Sequence, residues 1–223
     1  MSDVMSGTNT PKAPTYSKVW NLPNILTYGR IVAVPVVAGL LMWDTNTARW
    51  IALGIFIVAA ITDFLDGYLA RKWQQQSSLG RMLDPIADKV LVAVVLLVLS
   101  ASPILYGGHL WAAIIILSRE VLVSGLREYL GELQVSVPVT KIAKWKTTTQ
   151  MVAISVLFLG TGLAYVEHGR APMVGEAELP GGMTWSAVAT FLGLILIWIA
   201  AGLTAWTGWD YFRKAMPFLR GPK

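Results

Sequence analysis

Six stretches of mainly apolar residues divide the chain, at about 24–43, 49–71, 83–105, 109–130, 145–166 and 185–210. Each approaches or exceeds the ~20 residues with which a helix crosses the hydrocarbon core of a bilayer. The pattern predicts an all-α, polytopic membrane protein with six transmembrane helices, joined mostly by short connections. The longest connection, about 167–184, carries Gly, Pro and Glu and reads as an exposed loop without a fold of its own. Residues 1–18 are polar and lack the apolar run and small-residue cleavage site of a signal peptide, so they are expected to be a disordered cytosolic segment. The expected organisation is then a six-helix transmembrane domain over 19–215 and a short cytosolic tail over 216–223. Neither an internal repeat nor a second domain is evident.

Composition sharpens this picture. The chain of 223 residues is 55% hydrophobic and only 14% charged, too few charges to cover a water-exposed globule, and this equally excludes a disordered chain. It has no cysteine, which excludes disulfides, thiolate metal sites and cysteine nucleophiles. The net charge of +5 fits nucleic acid, an anionic surface or membrane topology equally well until the charges are located. Sixteen of the 18 Lys and Arg fall on one side of the predicted spans, and only Arg49 and Arg170 on the other. Cytoplasmic segments carry such an excess, so both termini are expected in the cytosol, and no basic stripe remains to bind nucleic acid. Tryptophans are expected at both interfaces, with Trp20, Trp73, Trp145 and Trp209 inside and Trp43, Trp50, Trp111 and Trp185 outside.

Ionisable groups within membrane helices cost ~2.5–3.5 kcal/mol each on insertion scales, and here they cluster. The end of the second span and the start of the third read Asp63-x2-Asp66-Gly67-x2-Ala70-Arg71-x8-Gly80-x3-Asp84-x3-Asp88. Asp63 and Asp66 share one helix face and Asp84 and Asp88 another. The two helices, joined by a tight turn, are expected to be neighbours, so that the four carboxylates converge. Like charges so close repel unless a cation lies between them, and oxygen ligands alone favour Mg, Ca or Mn over zinc. A dinuclear hard-metal site follows. Taken singly, Asp84 before Pro85 reads as a helix N-cap and Asp66 with Arg71 as a surface ion pair. Four acids at two helical spacings and at membrane depth argue otherwise. A cation or proton pathway would spread such groups through the membrane, whereas these lie on one side. Gly67 and Ala70 allow close approach to the helix backbone, although small residues also serve helix packing. Arg71 offers a phosphate contact, and Gly80 is expected to end one helix or turn the chain towards the next.

These eight residues over 26 positions match the signature of the CDP-alcohol phosphotransferase family at every fixed position. The resemblance implies a six-helix membrane enzyme, a homodimer, that displaces CMP from a CDP-linked lipid with an alcohol acceptor. It implies two divalent cations, Mg2+ or Mn2+, held by Asp63, Asp66, Asp84 and Asp88, with Asp88 also the general base. Gly67, Ala70 and Arg71 then bind the CDP-lipid. The first span opens with Asn24, Thr27 and Arg30 at three-residue steps, which reads as a cap and a snorkelling arginine or as part of the same cavity. This stretch resembles the first-helix motif of bacterial phosphatidylglycerophosphate synthases, which implies a place at the CDP site.

The signature leaves the acceptor open. The fourth span carries Glu120, Ser124 and Arg127 on one stripe with Arg119 beside it, and the fifth opens with Lys141, Lys144 and Lys146, followed by Gln150. An acceptor that already bears a phosphate needs such cations. Arg119, Arg127, Lys144 and Lys146 are therefore the expected phosphate contacts, and both segments resemble those of phosphatidylglycerophosphate synthases. The expected reaction moves the phosphatidyl group of CDP-diacylglycerol to glycerol 3-phosphate at the bacterial inner membrane. Alternatives are an inositol-phosphate or other alcohol acceptor and, in another class, a divalent-cation transporter. Asp210 and Arg213 in the last helix belong to no assigned motif.

Overall fold

Where water is absent, a backbone that closes its own hydrogen bonds is the stable one, so long apolar runs become helices. The computed structural model describes residues 22–43, 45–73, 78–135, 142–169 and 184–219. Over these the chain forms six long α-helices: α1 Leu22–Met42, α2 Asn46–Trp73, α3 Ser78–Ala101, α4 Leu110–Glu132, α5 Ile142–His168 and α6 Trp185–Leu219. Two short 3-10 turns, Pro103–Leu105 and Gly107–His109, connect α3 to α4, and no strand occurs among the described residues. The six expected spans correspond one to one with these helices. The first segment, 1–18, and most of the 167–184 loop lie outside the described residues.

Helix ends depart from the apolar ruler for local reasons. α3 begins at Ser78, well before the expected 83, because its first turns are polar yet helical, and it stops at Ala101 ahead of Pro103, whose ring cannot continue a helix. Asp84 is therefore inside the helix and not its cap, and Gly80 sits in its first turn instead of between two helices. α6 continues past 210 to Leu219, and there the Lys214 ammonium reaches Asp210 Oδ2 at 2.7 Å, one turn away. α4 stops in a Schellman turn. Gln134 takes a left-handed φ of 56°, its N–H and that of Val135 bond to the carbonyls of Gly131 and Leu130, and Val135 packs against buried Leu130.

Five of the helices, all but α3, contain stretches long and apolar enough to cross a membrane. α3 misses only because Arg81, Asp84, Asp88 and Lys89 occupy its first half. The buried core joins all six helices, with Val37, Phe56, Leu91, Leu96, Ile116, Leu157 and Ile197 almost fully covered. Phe56 and Phe158 meet edge to face at 5.5 Å between centroids. Helices α5 and α6 pack closely and antiparallel, since Gly160 lies against Thr190 and Gly193 against Leu157. Lipid supplies no hydrophobic drive between helices, so such small residues earn their place by close approach. The Glu167 carboxylate then accepts the Trp185 N–H at 3.0 Å and the Ser186 N–H at 3.2 Å, closing the pair at one end. α4 and α6 run parallel, because His109 meets Trp198 and, further along both helices, Arg119 meets Thr207.

Trp43, Trp111 and Trp185 are exposed at helix ends on one side of the bundle, and Trp145 and Trp209 are exposed towards the other. Trp50 is exposed as well, with one edge of its ring against Gly162.

Candidate active site

Three helices bring the acids together, though not as simple neighbours. Among the described residues, α1 packs along both α2 and α3, which touch each other little. Acids of α2 and α3 nonetheless meet, since Asp63 and Asp88 are in hydrogen-bond contact. A cation from α1 meets the carboxylates: the Arg30 guanidinium, 2% exposed, pairs through Nη1 with Asp63 Oδ1 and lies 3.7 Å from Asp88 Oδ1, while Asp63 and Asp88 also touch each other. Beside it, the buried Thr27 hydroxyl donates to Asp84 Oδ1. Asn24, one further step along the same face, is also buried. Three residues spaced by three along α1 thus face the acids, two of them in direct contact.

Asp63, Asp84 and Asp88 carry three negative charges against one guanidinium, and Asp88 Oδ1 is a buried oxygen with no hydrogen bond. Burying such a surplus is costly unless more positive charge arrives. An all-oxygen donor set with an unused oxygen fits a hard divalent cation. Both histidines lie away from this cluster, His109 before α4 and His168 at the end of α5. Asp66, Gly67, Ala70 and Arg71 fall on α2, outside the residues whose side chains are described.

A second polar cluster is built by α4, α5 and α6. The Lys146 ammonium, 4% exposed, donates to Glu120 Oε1, and Arg119 Nη1 lies 3.5 Å from the same oxygen. Arg119 also donates from Nη2 to the Thr207 hydroxyl at 3.4 Å, and Gly208 leaves room for its stem, since a Cβ there would meet Arg119 Cγ at 2.7 Å. Glu120 is thus the pivot that sets two cations side by side. The sequence placed Glu120 on the right stripe but gave it no role; the signal was its i, i+4 spacing to Ser124 on an otherwise apolar helix. Arg127 stands apart, its guanidinium 5.8 Å from the centre of the Tyr211 ring. Lys144 is in the first turn of α5, outside the described side chains.

One cleft joins the two clusters. It is small, about 40 Å³ in volume, and partly open to the surface. Asp88 borders it from α3, Glu120 from α4, and Lys146, Thr147 and Gln150 from α5. A larger apolar groove of about 930 Å³ lies between α4 and α6, with Arg119 at its polar edge.

Comparison with known proteins decides the family. Residues 20–206 match the CDP-alcohol phosphatidyltransferase family. The chain belongs to it. A relative from Cereibacter sphaeroides, named CDP-diacylglycerol--glycerol-3-phosphate 3-phosphatidyltransferase, is 50% identical over 92% of this chain and 99% of its own length. One of the same name from Rickettsia typhi is 42% identical over 89% of this chain and 98% of its own. A more distant relative from Oryza sativa, named cardiolipin synthase (CMP-forming), is 34% identical over 90% of this chain and 59% of its own length. As a member of this family, the chain is a phosphatidyltransferase enzyme of the membrane, and the family is generally dependent on divalent cations.

Proposed function

We propose that this enzyme transfers the phosphatidyl group of CDP-diacylglycerol to glycerol 3-phosphate, releasing CMP and forming phosphatidylglycerophosphate. The observation that carries the reading is the shared cleft. A carboxylate suited to take a proton, Asp88, and a cationic group suited to hold a phosphate, Lys146, border the same space. An acceptor with a hydroxyl at one end and a phosphate at the other fits both. The names of the relatives at 50% and 42% identity support the same acceptor.

In this reading Arg119 and Lys146 attract the acceptor phosphate, with Lys144 and Arg127 adding positive charge around it. Glu120 holds the first two in register, so little side-chain entropy remains to be lost when the anion arrives. Asn24, Thr27, Arg30, Gly67, Ala70 and Arg71 line the CDP side. Asp88 accepts the proton of the attacking hydroxyl. The hydroxyl oxygen forms a bond to the phosphatidyl phosphorus, the bond from that phosphorus to the bridging oxygen breaks, and CMP leaves with its electron pair. Asp63, Asp66, Asp84 and Asp88 would hold two divalent cations, Mg2+ or Mn2+, whose charge offsets that of the diphosphate as CMP departs. Arg30, paired with Asp63 and close to Asp88, would add positive charge beside the diphosphate.

The basic end carrying this site faces the cytoplasm of a bacterial inner membrane, and both termini lie there. The assembly is a homodimer. The α4 span is the least covered of the five, with 22% of its apolar window buried, and leaves an apolar face for a second copy.

The test is an assay of the purified protein with CDP-diacylglycerol, a divalent cation and a panel of glycerol 3-phosphate, inositol phosphate, inositol and serine. CMP release is expected with glycerol 3-phosphate and to stop on chelation. Turnover with inositol phosphate in its place would overturn the acceptor assignment.

A further inference from the structure

Gln150 is the polar group that the proposed reaction does not use. It lies one turn along α5 from Lys146, on the same face, and is 3% exposed. Its Oε1 is buried and has no hydrogen-bond partner. Native structures leave few such atoms unsatisfied, and each one asks for a reason. The atom belongs to a side chain that borders the cleft between Asp88 and Lys146. Its apolar neighbours there, Val92 and Met151, offer nothing to pair with it.

We infer that Gln150 binds the second, non-reacting hydroxyl of a phosphorylated polyol acceptor and so determines which alcohols the enzyme uses. The inference rests on the acceptor reading above. Such an acceptor presents three groups: an anionic phosphate, the hydroxyl that attacks, and a hydroxyl that does not. Lys146 and Arg119 match the first and Asp88 the second. The carboxamide of Gln150 matches the third, because it both accepts and donates, as a hydroxyl does. The cleft, about 40 Å³, exceeds the space that one water needs and is open on one side, so a small hydroxyl-bearing group can enter it. A pocket built to pair with a hydroxyl rejects an analogue lacking it, since its own polar group then stays buried and unpaired.

The test compares glycerol 3-phosphate with 3-hydroxypropyl phosphate, which keeps the phosphate and the attacking hydroxyl and lacks the middle one. The full-length protein in detergent, with CDP-diacylglycerol and a divalent cation, is expected to show kcat/KM about tenfold or more lower for the deoxy acceptor. In Gln150→Leu, kcat/KM for glycerol 3-phosphate should fall by a similar factor, the ratio between the two acceptors should approach one, and the KM for CDP-diacylglycerol should not change. Gln150→Asn, which keeps the amide, should retain part of the discrimination. A wild-type enzyme that uses both acceptors equally overturns the inference without any variant, as does a Gln150→Leu protein that loses both activities by the same factor. Absence of wild-type turnover with glycerol 3-phosphate is a different failure, that of the acceptor reading itself.

Discussion

Asp88 lies one turn further along α3 than Asp84 and has a different environment. Asp84 is engaged by the Thr27 hydroxyl, and Asp63 by the nearest nitrogen of Arg30, whereas Asp88 Oδ1 has only the longer ionic contact at 3.7 Å. A carboxylate that borders the cleft and keeps one oxygen without a hydrogen bond is the one placed to accept a proton. Asp88→Asn keeps the shape and removes the basicity. It is expected to lower kcat by about 10²–10⁴, the usual contribution of a general base. The thermal unfolding midpoint in detergent should stay close to that of the wild type, because the isosteric amide fills the same space and can still hydrogen-bond Asp63. CMP release and a melting curve on the same preparation check this, and near-normal turnover would remove Asp88 as the base. At this scale the sequence already announced its acids: carboxylates at helical spacing within apolar runs are conspicuous. It did not announce their partners. That Arg30 would pair with Asp63, or Lys146 with Glu120, depends on which helices pack together, and residues 33 and 26 positions apart carry no local signal of contact. Gln150 stayed equally silent, because a lone amide at the start of an apolar helix reads as an interfacial group until its cavity is seen.

The elements themselves were legible because hydropathy measures what the bilayer selects. Six apolar runs became six helices, and the misplaced ends were those where polar residues remain helical, at the start of α3 and the end of α6. What the runs could not reveal was the order of packing. α1 lies against both α2 and α3 and supplies the cation that meets the acids of both. The tightest element pair, α5 with α6, rests on glycines whose role is visible only in space. A Cβ at Gly193 would meet Leu157 Cδ2 at 2.7 Å and the Leu157 backbone nitrogen at 3.1 Å, while one at Gly202 would meet nothing within 4 Å. Gly193→Leu is therefore expected to destabilise the protein by about 1–3 kcal/mol, as overpacking does in a filled interior. Gly202→Leu, on an exposed face of the same helix, should be close to neutral. Melting midpoints of the two variants in one detergent separate the effects. Equal effects in both would mean that close approach does not account for the glycine at 193, since helix propensity alone favours leucine at either position.

For the whole molecule, charge is organised along one axis. The acids, Arg30, Lys146 and Arg119 converge towards one end, whereas Arg49 lies towards the other, buried and 4.8 Å from the centre of the Tyr165 ring. A site that takes a phosphorylated, membrane-impermeant acceptor must open on the side where that acceptor is found, so the orientation of the bundle is part of its function. On the positive-inside tendency the basic end is expected to face the cytoplasm. The absence of cysteine from the sequence makes this directly testable, because each variant then carries a single thiol. Tyr106, 63% exposed in the turn between α3 and α4, marks one end, and Phe218, 46% exposed near the end of α6, marks the other. With a membrane-impermeant maleimide added to spheroplasts, Tyr106→Cys should be labelled at once and Phe218→Cys only after the membrane is opened. The reverse pattern would turn the site outward, away from a cytoplasmic pool of phosphorylated polyol, and the acceptor would then have to be sought among alcohols available on that side.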